Sequence, residues 1–262
     1  MAKIFAIANQ KGGVGKTSMA VNLSASLAHY GKRVLLTDLD PQGNATTGSG
    51  IDKNSLEASI YGVLLGEESI TDARRPTEAG YDILPSNREL AGAEIELIDV
   101  ARREYRLKDA YAPVLNDYDY IVIDCPPALN MLTVNGLAAA NAVIIPMQCE
   151  YYALEGLSDL VGTLRKVKAN LNPIIEIEAL VRTMYDPRNA LTVQVSDELK
   201  RHYGDKVFNT VIPRNVRIAE APGFGKPVLL HDAESRGAVA HLAFARELLA
   251  RQGQPVNEEQ FA

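Results

Sequence analysis

A short glycine-rich segment near the start of the chain, residues 9–18 (NQKGGVGKTS), carries residue types that bind phosphate. Its end matches the pattern G-x-x-x-x-G-K-[ST], in which backbone N–H groups, a lysine and a hydroxyl hold a nucleotide phosphate. The match is incomplete, because Gln10 stands where the pattern has its first glycine. The segment also contains an additional lysine, Lys11, ahead of the expected Lys16. The sequence therefore predicts a phosphate-binding loop with one extra cation.

The predicted loop follows an apolar strand and opens a helix, which is the context that makes the motif specific. Glycines let backbone N–H groups turn inward, and the first turn of the helix adds its own N–H groups and dipole. Lys16 then places a positive charge on the β- and γ-phosphates, and the Thr17 hydroxyl is positioned to hold Mg²⁺. The predicted phosphate-contacting residues are Gly12, Gly13, Val14, Gly15, Lys16, Thr17 and Ser18.

Three carboxylates follow buried strands further along the chain. Asp38 and Asp40 lie in the segment DLDPQGN after one apolar run, and Asp124 follows the apolar run YIVI. Ligands of an open α/β sheet collect at the carboxyl ends of the strands, so we expect these side chains to converge with Lys16. One carboxylate at such a position can bind Mg²⁺ directly or through water, and a second can orient the attacking water.

Buried strands and helices alternate along the chain. Six apolar runs are predicted as strands, at 4–8, 33–37, 120–123, 142–145, 178–182 and 206–212. Four helices are predicted between or after them, at 17–29, 154–171, 190–203 and 235–251. This alternation indicates an α/β fold with a doubly wound, mostly parallel sheet and helices on both faces. Residues 52–104 are acidic and less regular, and we expect helices packed on one side there.

Composition limits the classes of protein to which the chain can belong. The 262 residues are 47% hydrophobic and carry a formal net charge of −6. We expect one domain over residues 1–262, with a flexible tail at 252–262. Cys125 and Cys149 form no C-x-x-C pair, which fits a cytoplasmic protein. No apolar run is long enough for a membrane span, and an acidic chain needs a local basic surface to bind DNA.

Four segments together resemble one family. KGGVGKTS, DLDPQGN, YIVIDCPP and VIPRNVRIAEAPGFGKPV are similar to segments of the ParA/Soj family of chromosome- and plasmid-partitioning ATPases. That family belongs to the deviant Walker A group, which also contains MinD and the nitrogenase iron protein. The resemblance covers essentially the whole chain. It implies a single-domain P-loop NTPase that binds ATP and Mg²⁺ and hydrolyses ATP slowly.

The resemblance gives the extra lysine a role. In the family, the residue that matches Lys11 reaches across a dimer interface to the phosphates of the partner's ATP. Two subunits then enclose two nucleotides, which implies a homodimer when ATP is bound. A cation that arrives with a second subunit can neutralise the charge that develops during phosphoryl transfer.

The resemblance also implies roles for the other motif residues. Lys16 and Thr17 would bind phosphate and Mg²⁺, Asp38 and Asp124 would serve the metal side, and Asp40 would be needed for hydrolysis. The loop that borders the adenine would consist of Pro213, Arg214 and Asn215.

One segment of the chain is basic. Residues 182–226 carry eight lysines and arginines and five carboxylates, a net charge of +3, which leaves −9 for the rest. Such a face fits contacts with the DNA backbone without base readout. The resemblance implies that the ATP-bound dimer binds double-stranded DNA nonspecifically, associates with the nucleoid, and is released when a ParB-type adaptor stimulates hydrolysis. The predicted DNA-contacting residues are Arg188 and Arg217, followed by Arg182, Lys200 and Arg214.

Three other functions remain open. A MinD-like membrane organiser needs a basic amphipathic C-terminal helix, whereas this chain ends in QGQPVNEEQFA, so we expect no stable membrane association. A ParA-like ATPase that positions a protein cargo would carry the same motifs. An iron–sulfur ATPase would share Cys125 and Cys149 across a dimer, but we expect both to be small, buried thiols.

Overall fold

An eight-stranded sheet forms the centre of the protein, whose computed structural model describes residues 1–256. The strands are β1 (Lys3–Ile7), β2 (Val34–Asp38), β3 (Arg75–Pro76), β4 (Asp82–Leu84), β5 (Tyr120–Asp124), β6 (Ala142–Gln148), β7 (Glu176–Tyr185) and β8 (Val207–Pro213). They lie in the order β3-β4-β2-β5-β1-β6-β7-β8. Each neighbouring pair is parallel except β3 with β4. The predicted mostly parallel sheet is confirmed.

Helices cover both faces of this sheet. They are α1 (Lys16–His29), α2 (Asn44–Gly48), α3 (Ile60–Leu65), α4 (Ile70–Ala73), α5 (Leu90–Glu96), α6 (Arg106–Tyr111), α7 (Met131–Ala139), α8 (Ala153–Asn170), α9 (Ala190–Tyr203), α10 (Val216–Glu220), α11 (Val228–His231) and α12 (Arg236–Arg251). Short 3-10 helices lie at Leu97–Asp99, Arg103–Tyr105, Ala112–Val114, Gly204–Lys206 and Ala221–Phe224. Within residues 1–256, no helix is both long enough and apolar enough to cross a bilayer.

Each face of the sheet has its own apolar core. Met19 of α1 and Phe244 of α12 belong to one core, and Leu107 of α6 and Leu157 of α8 belong to the other. Helices α3 to α9 all contribute to the second core. Because both faces are covered, successive residues of a strand are buried on opposite sides, and the strand sequences are almost continuously apolar. The doubly wound arrangement with helices on both faces is confirmed.

The predicted elements agree with the structure except in residues 52–104. All six predicted strands and all four predicted helices are present, with ends that differ by at most three residues. Residues 52–104 contain helices, as expected, but also β3 and β4, which extend the sheet at one edge. The expected helices α3, α4 and α5 pack into the same core on one face of the sheet, whereas the two short strands were not predicted. β4 has three residues and β3 has two, one of them Pro76, so neither is long enough to show a strand periodicity.

Arg182 of β7 was predicted to contact DNA, and the structure contradicts this. The residue is 3% exposed. Its guanidinium group donates to the Ser196 hydroxyl at 2.8 Å and to the carbonyl oxygens of Phe208 and Asn209 at 2.6 and 2.9 Å. Burial lowers the pKa of this group. Arg182 therefore joins β7, α9 and β8 inside the protein, where a DNA phosphate does not reach.

The predicted flexible tail at 252–262 is described only in its first residues. The Gln252 side chain accepts a hydrogen bond from Lys3 Nζ at 2.5 Å, and that of Gln254 accepts one from Lys32 Nζ at 2.8 Å. Val256 packs against the core that contains α1. Residues 257–262 lie outside the described residues, so flexibility there stays a prediction.

Arg182→Ala should lower the free energy of unfolding by about 1–3 kcal/mol, because it leaves buried carbonyl groups without their donor. Denaturant unfolding would measure this, with the exposed Lys200→Ala of α9 as the control that leaves stability unchanged. At a temperature where the Arg182→Ala protein is folded, its DNA affinity should equal that of the original chain. A selective loss of DNA affinity with normal stability would contradict the structural role.

Candidate functional site

The phosphate loop and two of the predicted carboxylates lie side by side at the carboxyl edge of the sheet. β5 lies between β1 and β2, and its last residue, Asp124, is paired with Ile7 on one side and Asp38 on the other. The loop after Ile7 leads into α1. Since parallel strands end at the same edge, the strand order brings three distant segments of the chain together.

Two glycines give the loop its shape. Gly13 and Gly15 have φ angles of 74° and 90°, in the left-handed region that residues with a side chain avoid. Gly15 is the N-cap of α1, and no side chain caps the first N–H groups of this helix. These groups are therefore available to an anion. The carbonyl group of Val14 accepts a hydrogen bond from the Thr183 hydroxyl at 2.8 Å, which ties the loop to β7.

Lys16 is turned into its own loop. It is 7% exposed, and its Nζ donates to the Lys11 carbonyl oxygen at 3.3 Å. Burial lowers the pKa of Lys16, while the neighbouring Asp124, Cys125 and Asp40 raise it. A positive charge is thus held in a partly dehydrated position, where it attracts a phosphate more strongly than it would in water.

Lys11 is directed away from the loop. Its side chain is 42% exposed, and Nζ forms an ion pair with Glu150 Oε2 at 2.5 Å. Glu150 lies between β6 and α8 and is itself 51% exposed. The two lysines of the loop therefore occupy different surroundings, one inside the loop and one at the surface.

Contacts of the two residues before Lys11 show why the loop does not need the first glycine of the pattern. Gln10 donates from its side-chain amide to the Thr163 hydroxyl of α8 at 3.3 Å. Asn9 donates to the Pro146 carbonyl oxygen at 2.8 Å and accepts from the Lys11 N–H at 2.9 Å. These contacts attach the start of the loop to β6 and α8, so a glycine is not required for the turn.

Asp38 organises the segment that carries Asp40. One Asp38 oxygen accepts hydrogen bonds from the Thr46 N–H and hydroxyl, both at 2.7 Å, and the other accepts from the Asp40 N–H at 3.2 Å. Thr46 in turn accepts from the Ser86 N–H, and the Ser86 hydroxyl donates to the Asp40 carbonyl oxygen. Burial raises the pKa of Asp38 to about 6, against the effect of these hydrogen bonds. Asp38 therefore positions its neighbours through hydrogen bonds. Its direct ligation of a metal ion stays a prediction.

The surroundings of Asp124 favour the binding of a cation. It is fully buried, and neither carboxylate oxygen has a hydrogen-bond partner of normal geometry among the described residues. Burial and then the neighbouring Asp38 raise its pKa well above the usual range, while the Thr17 hydroxyl and Lys16 act in the opposite direction. A carboxylate beside a hydroxyl provides the hard oxygen ligands that Mg²⁺ prefers.

The donor set fits Mg²⁺ in number as well as in chemistry. Within residues 1–256, no group of three or more His, Cys, Asp or Glu side chains could hold a metal ion by itself. Mg²⁺ in nucleotide sites is typically held by one or two protein ligands, with water and phosphate oxygens completing the octahedron. Thr17 and Asp124 are the residues that would hold it here.

A mostly apolar cavity of about 210 Å³ lies next to the loop. All three residues predicted to border the adenine, Pro213, Arg214 and Asn215, line it. The Asn215 side chain caps α10 by accepting a hydrogen bond from the Ile218 N–H at 3.2 Å. The remaining lining residues are Gly15, Ser18, Met19, Thr183, Met184, Ile212, Ile218, Ala219 and His241.

His241 was missed in the sequence because it lies within the apolar pattern of α12 and looks like an ordinary core position. A polar residue on the buried face of an otherwise amphipathic helix was the available signal.

The predicted DNA-contacting residues lie in three different places. Arg188 lies in the loop after β7, and Arg214 and Arg217 follow the end of β8, so all three are at the carboxyl edge of the sheet and exposed. Lys200 is also exposed but lies near the far end of α9, about 15 Å along the helix axis from its start. Arg182 is buried, as described above.

Both principal arginines are paired with carboxylates. Arg188 has an 89% exposed side chain and contacts Asp186 at 2.8 Å. Arg217 is 53% exposed and contacts Glu220 at 2.9 Å and Asp232 at 3.1 Å. Such exposed pairs contribute little to stability, so the arginines can exchange partners.

Comparison with known proteins identifies the family of the chain. A family model described as an AAA domain matches residues 2–177, which include the loop, Asp38, Asp40 and Asp124. An uncharacterized protein of Pseudomonas putida is 58% identical over 97% of both chains. The chromosome partitioning protein ParA of Caulobacter vibrioides is 52% identical over 95% of both chains. The sporulation initiation inhibitor protein Soj of Bacillus subtilis is 53% identical, over 95% of this chain and 99% of its own.

A solved structure gives the same fold at lower sequence identity. Cobyrinic acid a,c-diamide synthase from Mycobacterium smegmatis, with a bound ATP analog and magnesium, is 37% identical, with a TM-score of 0.85. The alignment covers 98% of this chain and all of that chain. Identity to the ParA and Soj proteins is higher and extends over nearly the whole chain. The chain therefore belongs to the ParA/Soj family of chromosome-partitioning ATPases.

Proposed function

We propose that this partitioning ATPase works as an ATP-driven switch that holds and releases DNA. ATP and Mg²⁺ bind at the loop, two chains close around two nucleotides, and the closed homodimer binds double-stranded DNA without reading its sequence. A ParB-type adaptor stimulates hydrolysis, and the dimer then releases the DNA. The observation that carries the proposal is the separation of the loop lysines, with Lys16 buried in its own loop and Lys11 at the surface.

The nucleotide site assigns distinct tasks to its residues. The N–H groups of the loop and of the first turn of α1, with Lys16, bind the phosphates. Thr17 and Asp124 hold Mg²⁺, which neutralises charge on the phosphate oxygens when it is bound. Asp40 is half-buried, and its carboxylate is fixed by accepting the Gln42 N–H at 2.9 Å. The other Asp40 oxygen would orient a water molecule for attack on the γ-phosphate.

The dimer proposal depends on how easily Lys11 can leave Glu150. Both side chains are about half exposed, and an ion pair of this kind contributes roughly 0.2–1 kcal/mol. The phosphates of a nucleotide carry more charge than a single carboxylate and can replace it as the partner. Tyr151 and Tyr152, next to Glu150, are 76% and 69% exposed, and exposed aromatic side chains of this kind are enriched at protein interfaces.

The DNA proposal rests on the three arginines at the carboxyl edge. Arg188, Arg214 and Arg217 lie at the same edge as the nucleotide site, so a dimer that closes there would carry two copies of the set. Counterion release makes affinity depend steeply on the number of phosphate contacts, and doubling that number strengthens binding accordingly. Lys200, at the other end of α9, is a less supported member of this surface. Binding to DNA would place the protein on the nucleoid.

Each alternative function predicts a different experimental result or requires a different property of the chain. A membrane organiser would sediment with anionic vesicles in the presence of ATP, which the proposed function does not require. A protein cargo would leave ATP-dependent DNA binding intact but replace the ParB-type adaptor. For an iron–sulfur protein, Cys125 and Cys149 would have to be accessible thiolates, but both are buried, and burial raises the pKa of both thiols.

Asp124→Asn should have opposite effects on the stability of the nucleotide-free protein and on its stabilisation by ATP and Mg²⁺. The raised pKa of Asp124 means that the carboxylate's charged form is disfavoured by folding. Its contribution to stability is therefore present below the ordinary pKa, near 3.8, and is lost as the pH rises through the folded value. At pH 7 the nucleotide-free variant should melt at a higher temperature than the original chain, but Mg²⁺-dependent stabilisation by ATP should be lost.

Thermal melting with and without ATP and Mg²⁺ would measure both effects of Asp124→Asn. Asp159→Asn, on an exposed position of α8, is the control that changes neither. If the Asp124→Asn protein were stabilised by ATP and Mg²⁺ as strongly as the original chain, Asp124 would not hold the metal ion.

Lys11→Ala should abolish the ATP-dependent dimer while ATP affinity stays within about twofold, because the Lys11 side chain is paired with Glu150 at the surface and alanine keeps the carbonyl oxygen that accepts from Lys16 Nζ. Light scattering with a non-hydrolysable ATP analog would report the oligomeric state, and calorimetry would report the affinity. Lys166→Ala, an exposed lysine of α8, should dimerise normally. A Lys11→Ala protein that still forms the dimer would refute the proposed role.

Arg217→Ala should weaken DNA binding and reduce the slope of log Kobs against log salt concentration by about 0.9 per lost phosphate contact, and twice that in a dimer. Fluorescence anisotropy of a labelled duplex at several salt concentrations would measure both. Arg33→Ala is a matched control, since Arg33 is also exposed and paired with an aspartate but precedes β2 at the opposite edge. Unchanged affinity and slope in a dimeric Arg217→Ala protein would rule out the contact.

A further inference from the structure

His241 of α12 is a buried polar residue whose ring nitrogens have no hydrogen-bond partner in the described part of the chain. It is 1% exposed, and neither Nδ1 nor Nε2 has a hydrogen-bond partner among residues 1–256. Buried polar groups are almost always paired, and an unpaired one costs about 1–3 kcal/mol. Packing alone therefore does not explain a histidine at this position, where a leucine would fill similar space.

The surroundings of His241 determine which chemical form it takes. Burial lowers its pKa to about 3, so the ring is neutral near pH 7. A neutral imidazole has one N–H donor and one bare nitrogen acceptor. His241 therefore offers hydrogen bonds of both kinds but no charge.

His241 lines the 210 Å³ cavity beside the phosphate loop. Met19, Met184, Ile212 and Ile218 give this cavity apolar walls, which suit the faces of a flat aromatic ring. Whole sites for drug-sized ligands measure about 300–1,000 Å³, so this cavity fits one part of a nucleotide rather than all of it. Because Gly15 belongs both to the cavity wall and to the loop, a base seated here would leave its phosphates at the loop.

We propose that His241 is a nucleotide-binding residue that hydrogen-bonds the edge of the purine base of ATP. This inference rests on the proposed ATP-dependent function and adds a residue to its base-binding site. A purine edge carries both donors and acceptors, so either neutral tautomer of the ring finds a partner. His241 thus contributes affinity for the base, and the unpaired polar group is satisfied when the nucleotide is bound.

The test uses two variants of the full chain. His241→Leu removes both hydrogen-bonding groups, and His241→Gln keeps a donor and an acceptor. Calorimetry with Mg²⁺ should show the Kd for ATP raised about five- to tenfold in His241→Leu, the loss of one neutral hydrogen bond, and within about twofold of the original in His241→Gln. The nucleotide-free His241→Leu protein should melt at the same or a higher temperature, because it no longer buries an unpaired polar group.

Inorganic triphosphate separates base recognition from the shape of the loop. Its affinity should be the same in the original chain and in both variants, since it has no base to contact His241. The proposal is overturned if His241→Leu binds ATP as tightly as the original chain, or loses affinity for ATP and triphosphate equally. It is also overturned if His241→Gln is as impaired as His241→Leu. Failure of the original chain to bind ATP at all would instead refute the proposed function.

Discussion

Burial of opposite charges at one edge of a parallel sheet is the constraint on which the rest of this structure depends. Lys16, Asp38 and Asp124 lie together where water is largely excluded, and burial disfavours the charged form of each. Such a cluster costs stability unless its hydrogen bonds and counterions are complete. Lys16 lies close enough to lower the pKa of Asp124, but neither Asp124 oxygen has a hydrogen-bond partner of normal geometry within the described part of the chain, so a divalent cation can bind beside it.

Hydrogen bonds connect this cluster of buried charges to the segment that contains Asp40. Asp38 accepts hydrogen bonds from Thr46 and from the Asp40 N–H. Thr46 accepts one from the Ser86 N–H, and the Ser86 hydroxyl donates to the Asp40 carbonyl oxygen. A change in the charge of Asp38 would therefore alter hydrogen bonds that position Asp40. The two lysine side chains of the loop differ in the same way, because that of Lys16 is buried in the loop and that of Lys11 forms an exposed ion pair with Glu150.

Much of the fold followed from local patterns. The strand β5 is a continuous apolar run and the helix α9 has a helical pattern of apolar residues, and both were predicted within one residue of their bounds. β3 and β4 were not predicted, because strands this short form only when a neighbouring strand provides their hydrogen bonds. Arg182 was wrongly predicted to lie at a DNA-binding surface, for a related reason. Charge in a sequence indicates the surface on average, but here β8 supplies buried carbonyl groups that satisfy the guanidinium.

The sequence by itself determined the chemistry of the loop, since glycine, lysine and threonine at that spacing have few other uses, and it determined which strands end in carboxylates. Tertiary structure alone decided which of those carboxylates is left unpaired, because that depends on Thr46 reaching Asp38 and on no comparable donor reaching Asp124 in the described chain. It also decided that Lys11 faces Glu150 and that His241 faces the cavity. Residue types fix what a side chain can do, and only packing fixes which partners remain within its reach.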